Sequence, residues 1–141
     1  MRVWVNGCFD ILHSGHIDLL WFAKRYGVTK KKQNKLNKLF VGLDSDERIK
    51  ELKGDNRPIN DLETRVKIMS SLNMVDVVAI FNTDDELKNY IKNLKIDCMV
   101  VGDEYKNKTV IGSEYSKYGV VYYPKTNGKS TTNIINKIKK L

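Results

Sequence analysis

The chain has 141 residues, a length that fits one domain, residues 1–141, with enough material to bury a core. Hydrophobic residues make up 41% of the sequence and charged residues 30%, which argues against a disordered or fibrous protein. No apolar run approaches the about 18 residues that a membrane span requires, and no secretory signal precedes Asn6, so a cytoplasmic protein without membrane contact is expected.

The net charge of +8 raises the question of nucleic-acid binding. Lysines are spread over Lys30 to Lys38, Lys88 to Lys95 and Lys137 to Lys140, and no basic stripe is interleaved with aromatic residues. The charge therefore favours polyanionic small molecules over nucleic acid. Cys8 and Cys98 lack the spacing of a zinc site or a disulfide framework, so neither is expected.

The first elements predict the opening of a βαβ unit. Arg2 to Val5 is rich in β-branched and aromatic residues and reads as a buried strand that ends in the turn Asn6-Gly7. From Ser14 onward the apolar spacing predicts a helix, which Gly27 terminates. Val28 to Lys38 sustains no periodicity and is expected to be a solvated surface excursion.

The rest of the chain alternates strands with helices. Four more strands are predicted: Leu39 to Leu43, Asp76 to Phe81, Cys98 to Gly102 and Val120 to Tyr123. The predicted helices are one capped within Asp44 to Asp46, one capped by Asn60 or Asp61, one from Asp84 to Leu94, and a last one capped within Ser130 to Asn133. This alternation predicts a Rossmann-like three-layer α/β/α fold with a five-stranded parallel sheet and ligands at the carboxyl ends of the strands.

The turn after the first strand carries the most informative residues. His13 and His16 can project from neighbouring positions at a helix start, and Gly15 leaves room for phosphates to approach backbone N–H groups. Two imidazoles there would stabilise charge in phosphoryl or nucleotidyl transfer. The alternatives are capping or packing histidines, or a metal pair for which no third ligand is evident. No dinucleotide fingerprint and no Walker A motif is present, which disfavours an oxidoreductase or a P-loop kinase.

The stretch Gly7-x-Phe9-Asp10-x-x-His13-x-Gly15-His16 resembles the signature of the cytidylyltransferase-like nucleotidyltransferases. Further segments follow in that family's order, so that the resemblance spans nearly the whole chain: Lys53 to Asn60 with Glu63 and Arg65, Gly102 to Tyr105, and Gly128 to Ile135. The resemblance implies transfer of a nucleoside monophosphate from a nucleoside triphosphate, with its Mg²⁺, to a phosphorylated acceptor. It also implies release of pyrophosphate and a homodimer.

The resemblance also assigns roles to residues. Catalytic roles fall to His13, His16, Lys53 and Arg65, with Arg65 as the clamp on the acceptor phosphate. Nucleotide-binding roles fall to Gly7, Cys8, Phe9, Gly15, Asp103, Lys125, Ser130, Thr131 and Thr132, and acceptor-binding roles to Asp10 and Lys50. Lys125 stands where several cytidylyltransferases carry arginine, and it lacks the bidentate fork. The alternative roles are helix capping for Asp10 and Ser130, a solvated helix charge for Lys50, and a turn residue for Asp103.

The segments Lys53 to Asn60 and Gly128 to Ile135 are most similar to the adenylyltransferase domain of the bacterial ADP-heptose pathway. That likeness implies transfer of AMP from ATP to D-glycero-D-manno-heptose 1-phosphate. Val101 to Tyr105 departs from that pattern and resembles glycerol-3-phosphate cytidylyltransferases, which would use CTP. A hypothesis of another class is a non-catalytic nucleotide-binding protein, which intact His13 and His16 argue against.

Overall fold

Five parallel strands form one sheet in the computed structural model, which describes residues 1–28, 35–124 and 129–141. The strands are β1 (Arg2–Gly7), β2 (Lys38–Asp44), β3 (Val77–Phe81), β4 (Cys98–Gly102) and β5 (Val120–Tyr123). Their order across the sheet is β3-β2-β1-β4-β5, and all four pairings are parallel. The chain moves outward from β1 to β3 and then crosses to the other side of β1. The predicted five-stranded parallel sheet is confirmed, and the switch point for ligand binding lies between β1 and β4.

Five α-helices connect and follow these strands. They are α1 (Ser14–Arg25), α2 (Asp46–Lys53), α3 (Leu62–Ser70), α4 (Asp84–Asn93) and α5 (Thr131–Lys139), with short 3₁₀ turns at Asp103–Tyr105 and Ser113–Tyr115. Each α-helix begins at a residue whose side chain accepts a backbone N–H of the first turn: His13, Ser45, Asp61, Thr83 and Ser130. Of the two predicted caps for α3, the structure selects Asp61 and uses Asn60 elsewhere.

The two faces of the sheet carry separate cores, because successive strand residues point to opposite sides. Val3 and Val5 of β1 pack with Leu20 of α1 on one face. Trp4 lies on the other face with Ile91 of α4. A Cβ atom on Gly42 of β2 would lie only 2.3 Å from Cζ2 of Trp4, so glycine at this position makes room for the indole. Helices on both faces give the predicted three layers.

The ends of β1 and β2 extend beyond the predicted strands. Asn6 pairs with Gly42 and Gly7 pairs with Leu43, so the predicted turn at Asn6-Gly7 is still part of the sheet. The turn therefore begins at Cys8, beside Asp44 at the end of β2. This pairing brings the carboxyl ends of the two central strands directly to the candidate site.

The predicted excursion after α1 lies partly outside the described residues, which omit 29–34. Its end is described, and there Asn37 is buried rather than solvated. The Asn37 amide donates to the carbonyl oxygens of Ala23 and Tyr26 at 3.0 and 2.8 Å. The chain entering β2 is thus fastened to the end of α1, and Lys38 already belongs to the strand.

Candidate active site

A cleft of about 510 Å³ opens at the carboxyl ends of the strands. Helices α1 and α5 both begin at this cleft. The hydroxyl of Thr131, at the start of α5, donates to the carbonyl of Ile11, in the turn that leads into α1, at 2.9 Å and so joins the two helix starts. The backbone of Phe9 takes a left-handed conformation, with φ 46°, and its buried ring packs against His16. Helix N-termini carry partial positive charge and orphan N–H groups, so this end of the sheet is suited to an anion.

His13 and His16 hold each other in place through a reciprocal helix cap. Nδ1 of His13 accepts the N–H of Gly15 at 3.1 Å, and Nδ1 of His16 accepts the N–H of His13 at 3.3 Å. The two rings stack with centroids 3.8 Å apart. Since each Nδ1 accepts a hydrogen bond, the proton of each neutral ring lies on Nε2. Capping therefore fixes two Nε2–H donors side by side, and both histidines line the cleft.

Gly15 permits this stacked arrangement. A Cβ atom at position 15 would lie 2.9 Å from Cε1 of His13 and 3.3 Å from Cβ of Lys129, which precedes α5. Any larger residue would push against the imidazole or against the start of α5. The glycine in the His-x-Gly-His stretch is thus explained by close packing between the starts of α1 and α5.

Burial lowers the pKa of His16 to about 4, and repulsion from His13 in its protonated form and from Lys53 lowers it further. His16 is therefore neutral at pH 7 and acts as a hydrogen-bond donor rather than as a cation. A neutral imidazole can still donate Nε2–H to a phosphate oxygen.

This shift predicts the titration of His16 by NMR. In the ligand-free protein, the His16 ring nitrogens should stay in the neutral Nε2–H form from pH 8 to pH 6 and titrate with a midpoint near 4. An unfolded histidine titrates near about 6.5, so between these values the unfolded chain binds more protons. The free energy of unfolding should therefore fall as the pH is lowered through this window. A midpoint at or above that of an ordinary histidine would contradict the burial.

Arg65 departs from its predicted role as a phosphate clamp. Its side chain is fully buried, with 0% exposed. Nε donates to the carbonyl of Asn60 at 3.1 Å, Nη1 donates to the carbonyls of Cys8 and Asp44 at 3.0 and 2.8 Å, and Nη2 donates to the carboxylate of Asp46 at 2.7 Å. All three nitrogens are used by the protein itself. Arg65 joins the ends of β1 and β2 to α2 and α3 beneath the cleft, and does not line it.

Asp10 is likewise engaged with the protein, and the α1 cap is His13 rather than Asp10. One carboxylate oxygen accepts the N–H of Asn60 at 2.8 Å, and the other accepts the N–H of Ile59 at 2.9 Å and Nε of Arg57 at 3.0 Å. Burial alone would raise the pKa of Asp10, but these hydrogen bonds and the charge of Arg57 outweigh it and lower the pKa. Asp10 therefore orients the loop between α2 and α3, a role that was not predicted, while its predicted contact with the acceptor stays a prediction.

Cys8 and Asp44 form the floor of the cleft between β1 and β2. Sγ of Cys8 lies 3.5 Å from Oδ2 of Asp44, while Oδ1 of Asp44 accepts Nε of Arg48 at 2.8 Å. Burial and the negative charge of Asp44 raise the pKa of Cys8 to about 11, so the thiol stays protonated and is a poor nucleophile. The sequence predicted Cys8 in the site but not its carboxylate partner.

The start of α5 combines capping with access to the cleft. Oγ of Ser130 accepts the N–H of Asn133 at 3.0 Å, so this hydroxyl caps the helix. The hydroxyl of Thr131 is used by Ile11, and Thr132 is exposed. All three residues line the cleft. The capping alternative for Ser130 is observed, while its predicted contact with a nucleotide stays a prediction.

The structure brings most of the predicted site residues together. Those that line the cleft are Gly7, Cys8, Phe9, Asp10, His13, Gly15, His16, Lys53, Ser130, Thr131 and Thr132. Lys50 does not line the cleft; it is exposed, and α2 turns it about 60° away from Lys53 around the helix axis. Asp103 does not line it either, because the chain turns into a 3₁₀ helix there and presents Gly102 and Glu104 instead. Lys125 lies outside the described residues.

Several lining residues were not predicted from the sequence: Asp44, Arg48, Arg57, Tyr105, Thr109, Ile111 and Lys129. The pairing of Asp44 with Arg48 could have been predicted, because an acid and an arginine four residues apart at a helix start readily form an ion pair. Arg57 lies in an irregular loop, where residue spacing does not predict which way a side chain points.

Of the helices in the described ranges, none has the length and apolar composition needed to cross a membrane.

A family model described as Cytidylyltransferase-like matches residues 4–137. The chain is 50% identical over 137 residues to the bifunctional protein HldE of Campylobacter fetus subsp. fetus and 44% identical over 138 residues to HldE of Helicobacter pylori strain P12. These matches cover 97% and 98% of this chain but 28% of each relative, so the chain spans little more than a quarter of their length.

A solved structure is also similar, that of the lipopolysaccharide core biosynthesis protein from Thermoplasma volcanium. The TM-score is 0.66 and the sequence identity 26%, and the match covers 90% of this chain and 98% of that chain. The likeness therefore extends over most of this chain.

Proposed function

The chain belongs to the cytidylyltransferase-like family and is a nucleotidyltransferase, and we propose that it transfers AMP from ATP to D-glycero-D-manno-heptose 1-phosphate. The observation that carries this proposal is the pair of stacked imidazoles, fixed as Nε2–H donors in a cleft where two helices begin. The resemblance of Lys53 to Asn60 and Gly128 to Ile135 to the ADP-heptose enzymes supports the choice of substrates. A homodimer and a cytoplasmic location remain predictions.

The proposed step is an in-line displacement at the α-phosphorus. An oxygen of the acceptor phosphate forms the new bond to this phosphorus, the bond to the bridging oxygen breaks, and pyrophosphate leaves with the electron pair. His13 and His16 donate hydrogen bonds to the phosphate oxygens as charge develops on them. Lys53, at the end of α2 and lining the cleft, adds positive charge. No covalent intermediate is needed, and the raised pKa of Cys8 makes the one thiol among the lining residues a poor candidate for one.

Mg²⁺ is proposed to arrive with the triphosphate. Within the described ranges, no group of three or more His, Cys, Asp or Glu side chains is arranged to hold a metal ion. This fits Mg²⁺, which takes one or two carboxylates together with substrate phosphates and waters. Of the carboxylates that line the cleft, Asp10 and Asp44 already accept hydrogen bonds from Arg57 and Arg48, so Glu104 would be its protein ligand. When bound, the ion would neutralise charge on the leaving pyrophosphate.

A second candidate is transfer of CMP from CTP to glycerol 3-phosphate. The stretch Val101 to Tyr105 favours it, because this stretch resembles glycerol-3-phosphate cytidylyltransferases and four of its residues, Val101, Gly102, Glu104 and Tyr105, line the cleft. The two candidates share the reaction and differ in the base and in the acceptor.

The experiment is a matrix of pyrophosphate release from ATP and CTP, each with heptose 1-phosphate and glycerol 3-phosphate. We expect release with ATP and heptose 1-phosphate at a rate at least about tenfold above the other three combinations, a discrimination that one or two specific contacts can supply. Fastest release with CTP and glycerol 3-phosphate would favour the second candidate. Tight binding of ATP without release in any combination would indicate a non-catalytic nucleotide-binding protein and overturn the proposal.

A further inference from the structure

We propose that Arg57 binds the phosphate of the acceptor and so selects phosphorylated acceptors over neutral ones. The proposal rests on the nucleotidyl transfer proposed above. It replaces the clamp that the family resemblance assigned to Arg65, whose three guanidinium nitrogens all donate to groups of the protein itself.

Arg57 is held rigidly at the wall of the cleft. It belongs to the loop between α2 and α3, lines the cleft, and has only 12% of its side chain exposed. Nε lies 3.0 Å from Oδ2 of Asp10, whose own side chain is 1% exposed. The same carboxylate accepts the N–H groups of Ile59 and Asn60, so loop and guanidinium are fixed together. Little side-chain entropy would be lost when such a preorganised arginine binds a ligand.

The guanidinium has unused hydrogen-bonding capacity. Nη2 of Arg57 is buried and makes no hydrogen bond to any residue in the described ranges. A buried guanidinium N–H without an acceptor is costly, and native structures rarely keep one without a reason. Phosphate oxygens would supply the missing acceptors, because the planar fork of arginine matches phosphate geometry.

The charges around Arg57 favour a dianion over a neutral hydroxyl group. Arg48, the other arginine that lines the cleft, already pairs with Asp44 and Asp84 at 2.8 Å each. Within the described residues, the ion pair of Arg57 is with Asp10, and Lys53 also lines the cleft. The lining carries four cations, Arg48, Lys53, Arg57 and Lys129, against three anions, Asp10, Asp44 and Glu104, so its net charge is positive with neutral histidines.

The position also connects the acceptor to the reacting phosphates. Asp10 lies three residues before His13 in the same turn, and its carboxylate accepts a hydrogen bond from Nε of Arg57. An acceptor phosphate bound to Arg57 would thus be positioned by the same turn that holds the two imidazoles. Such shared support is what an in-line attack requires, because the reacting oxygen must be placed close to the α-phosphorus.

The test compares R57Q and R57K with R25Q. Arg25 is a matched control, because it lies on α1 with its guanidinium over the Trp21 ring, 4.5 Å from the ring centroid, and does not line the cleft. In R57Q we expect the KM for heptose 1-phosphate to rise about 10- to 100-fold while the KM for ATP changes less than about twofold, the loss of one charge-assisted contact. R57K should show a smaller rise, and R25Q should match the wild type.

A binding measurement separates this proposal from the proposed function. Heptose 1-phosphate, glycerol 3-phosphate and inorganic phosphate are each added without nucleotide, and the melting temperature is recorded. We expect at least one to stabilise the wild type and R25Q but not R57Q, whether or not pyrophosphate is ever released. Stabilisation of R57Q equal to that of the wild type, or of no variant by any of the three, would overturn the role of Arg57. If R57Q fails to fold because Asp10 is left unpaired, R57K decides the question, since a lysine keeps the charge but lacks the second arm.

Discussion

Replacing His16 with alanine is expected to slow pyrophosphate release by a factor of about 10² or more. The substitution removes an Nε2–H donor that the structure fixes through the hydrogen bond between Nδ1 of His16 and the N–H of His13. It also removes the ring that stacks on His13 at 3.8 Å. Because the donors would act on charge that develops during the reaction, kcat should fall much more than the affinity for ATP changes. Single-turnover release of pyrophosphate measures the effect.

Two further variants show whether donation or packing is lost. Glutamine at position 16 can still present an N–H donor, so H16Q should retain more activity than H16A. D18N is the control on the same helix, because Asp18 is exposed and does not line this cleft; it should leave the rate unchanged. The fold should persist in H16A, since the freed N–H of His13 lies beside an open cleft that water can reach. Unchanged pyrophosphate release in a folded H16A protein would remove the central claim about the site.

The alternation of strands and helices could be predicted from the sequence because both periodicities are strong. Val3 and Val5 face one side of the sheet and Trp4 the other, as the strand pattern requires. The histidine turn could also be located, because a buried strand followed by a helix start fixes where the side chains must lie. Local signals of this kind depend only on neighbours in the sequence.

The departures come from contacts between distant residues. Arg65 lies on the apolar face of α3, three residues after Leu62 and four before Met69, so its burial has a local signal. Nothing local indicates, however, that three carbonyl groups converge on it. The sequence placed Asp10 at the correct turn, yet its partners Arg57 and Asn60 lie 47 and 50 residues away. Such pairings depend on how loops meet at the end of the sheet. Local patterning therefore located the site but could not decide which arginine faces a ligand.

Replacing Arg65 with alanine is expected to lower the free energy of unfolding by about 3–5 kcal/mol, because it leaves a charged partner and several carbonyls without their donor. The carboxylate of Asp46 and the carbonyls of Cys8, Asp44 and Asn60 would all lose a hydrogen bond. Urea unfolding followed by circular dichroism measures the change. R25A is the control, because this surface substitution should stay within about 0.5 kcal/mol of the wild type.

The lysine variant at the same position separates a structural role from a ligand-binding one. In R65K a single ammonium can satisfy Asp46 but cannot reach all the carbonyls that the guanidinium spans, so intermediate stability is expected. In whatever fraction stays folded, the KM for the acceptor should remain close to that of the wild type, because the Arg65 side chain is fully buried and does not line the cleft. Wild-type stability in both Arg65 variants, together with a selective rise in the acceptor KM, would instead restore the phosphate clamp that the sequence suggested. The unfolding and kinetic measurements together thus decide which arginine stabilises the fold and which binds the acceptor phosphate. We expect Arg65 to have the structural role and Arg57 the binding role.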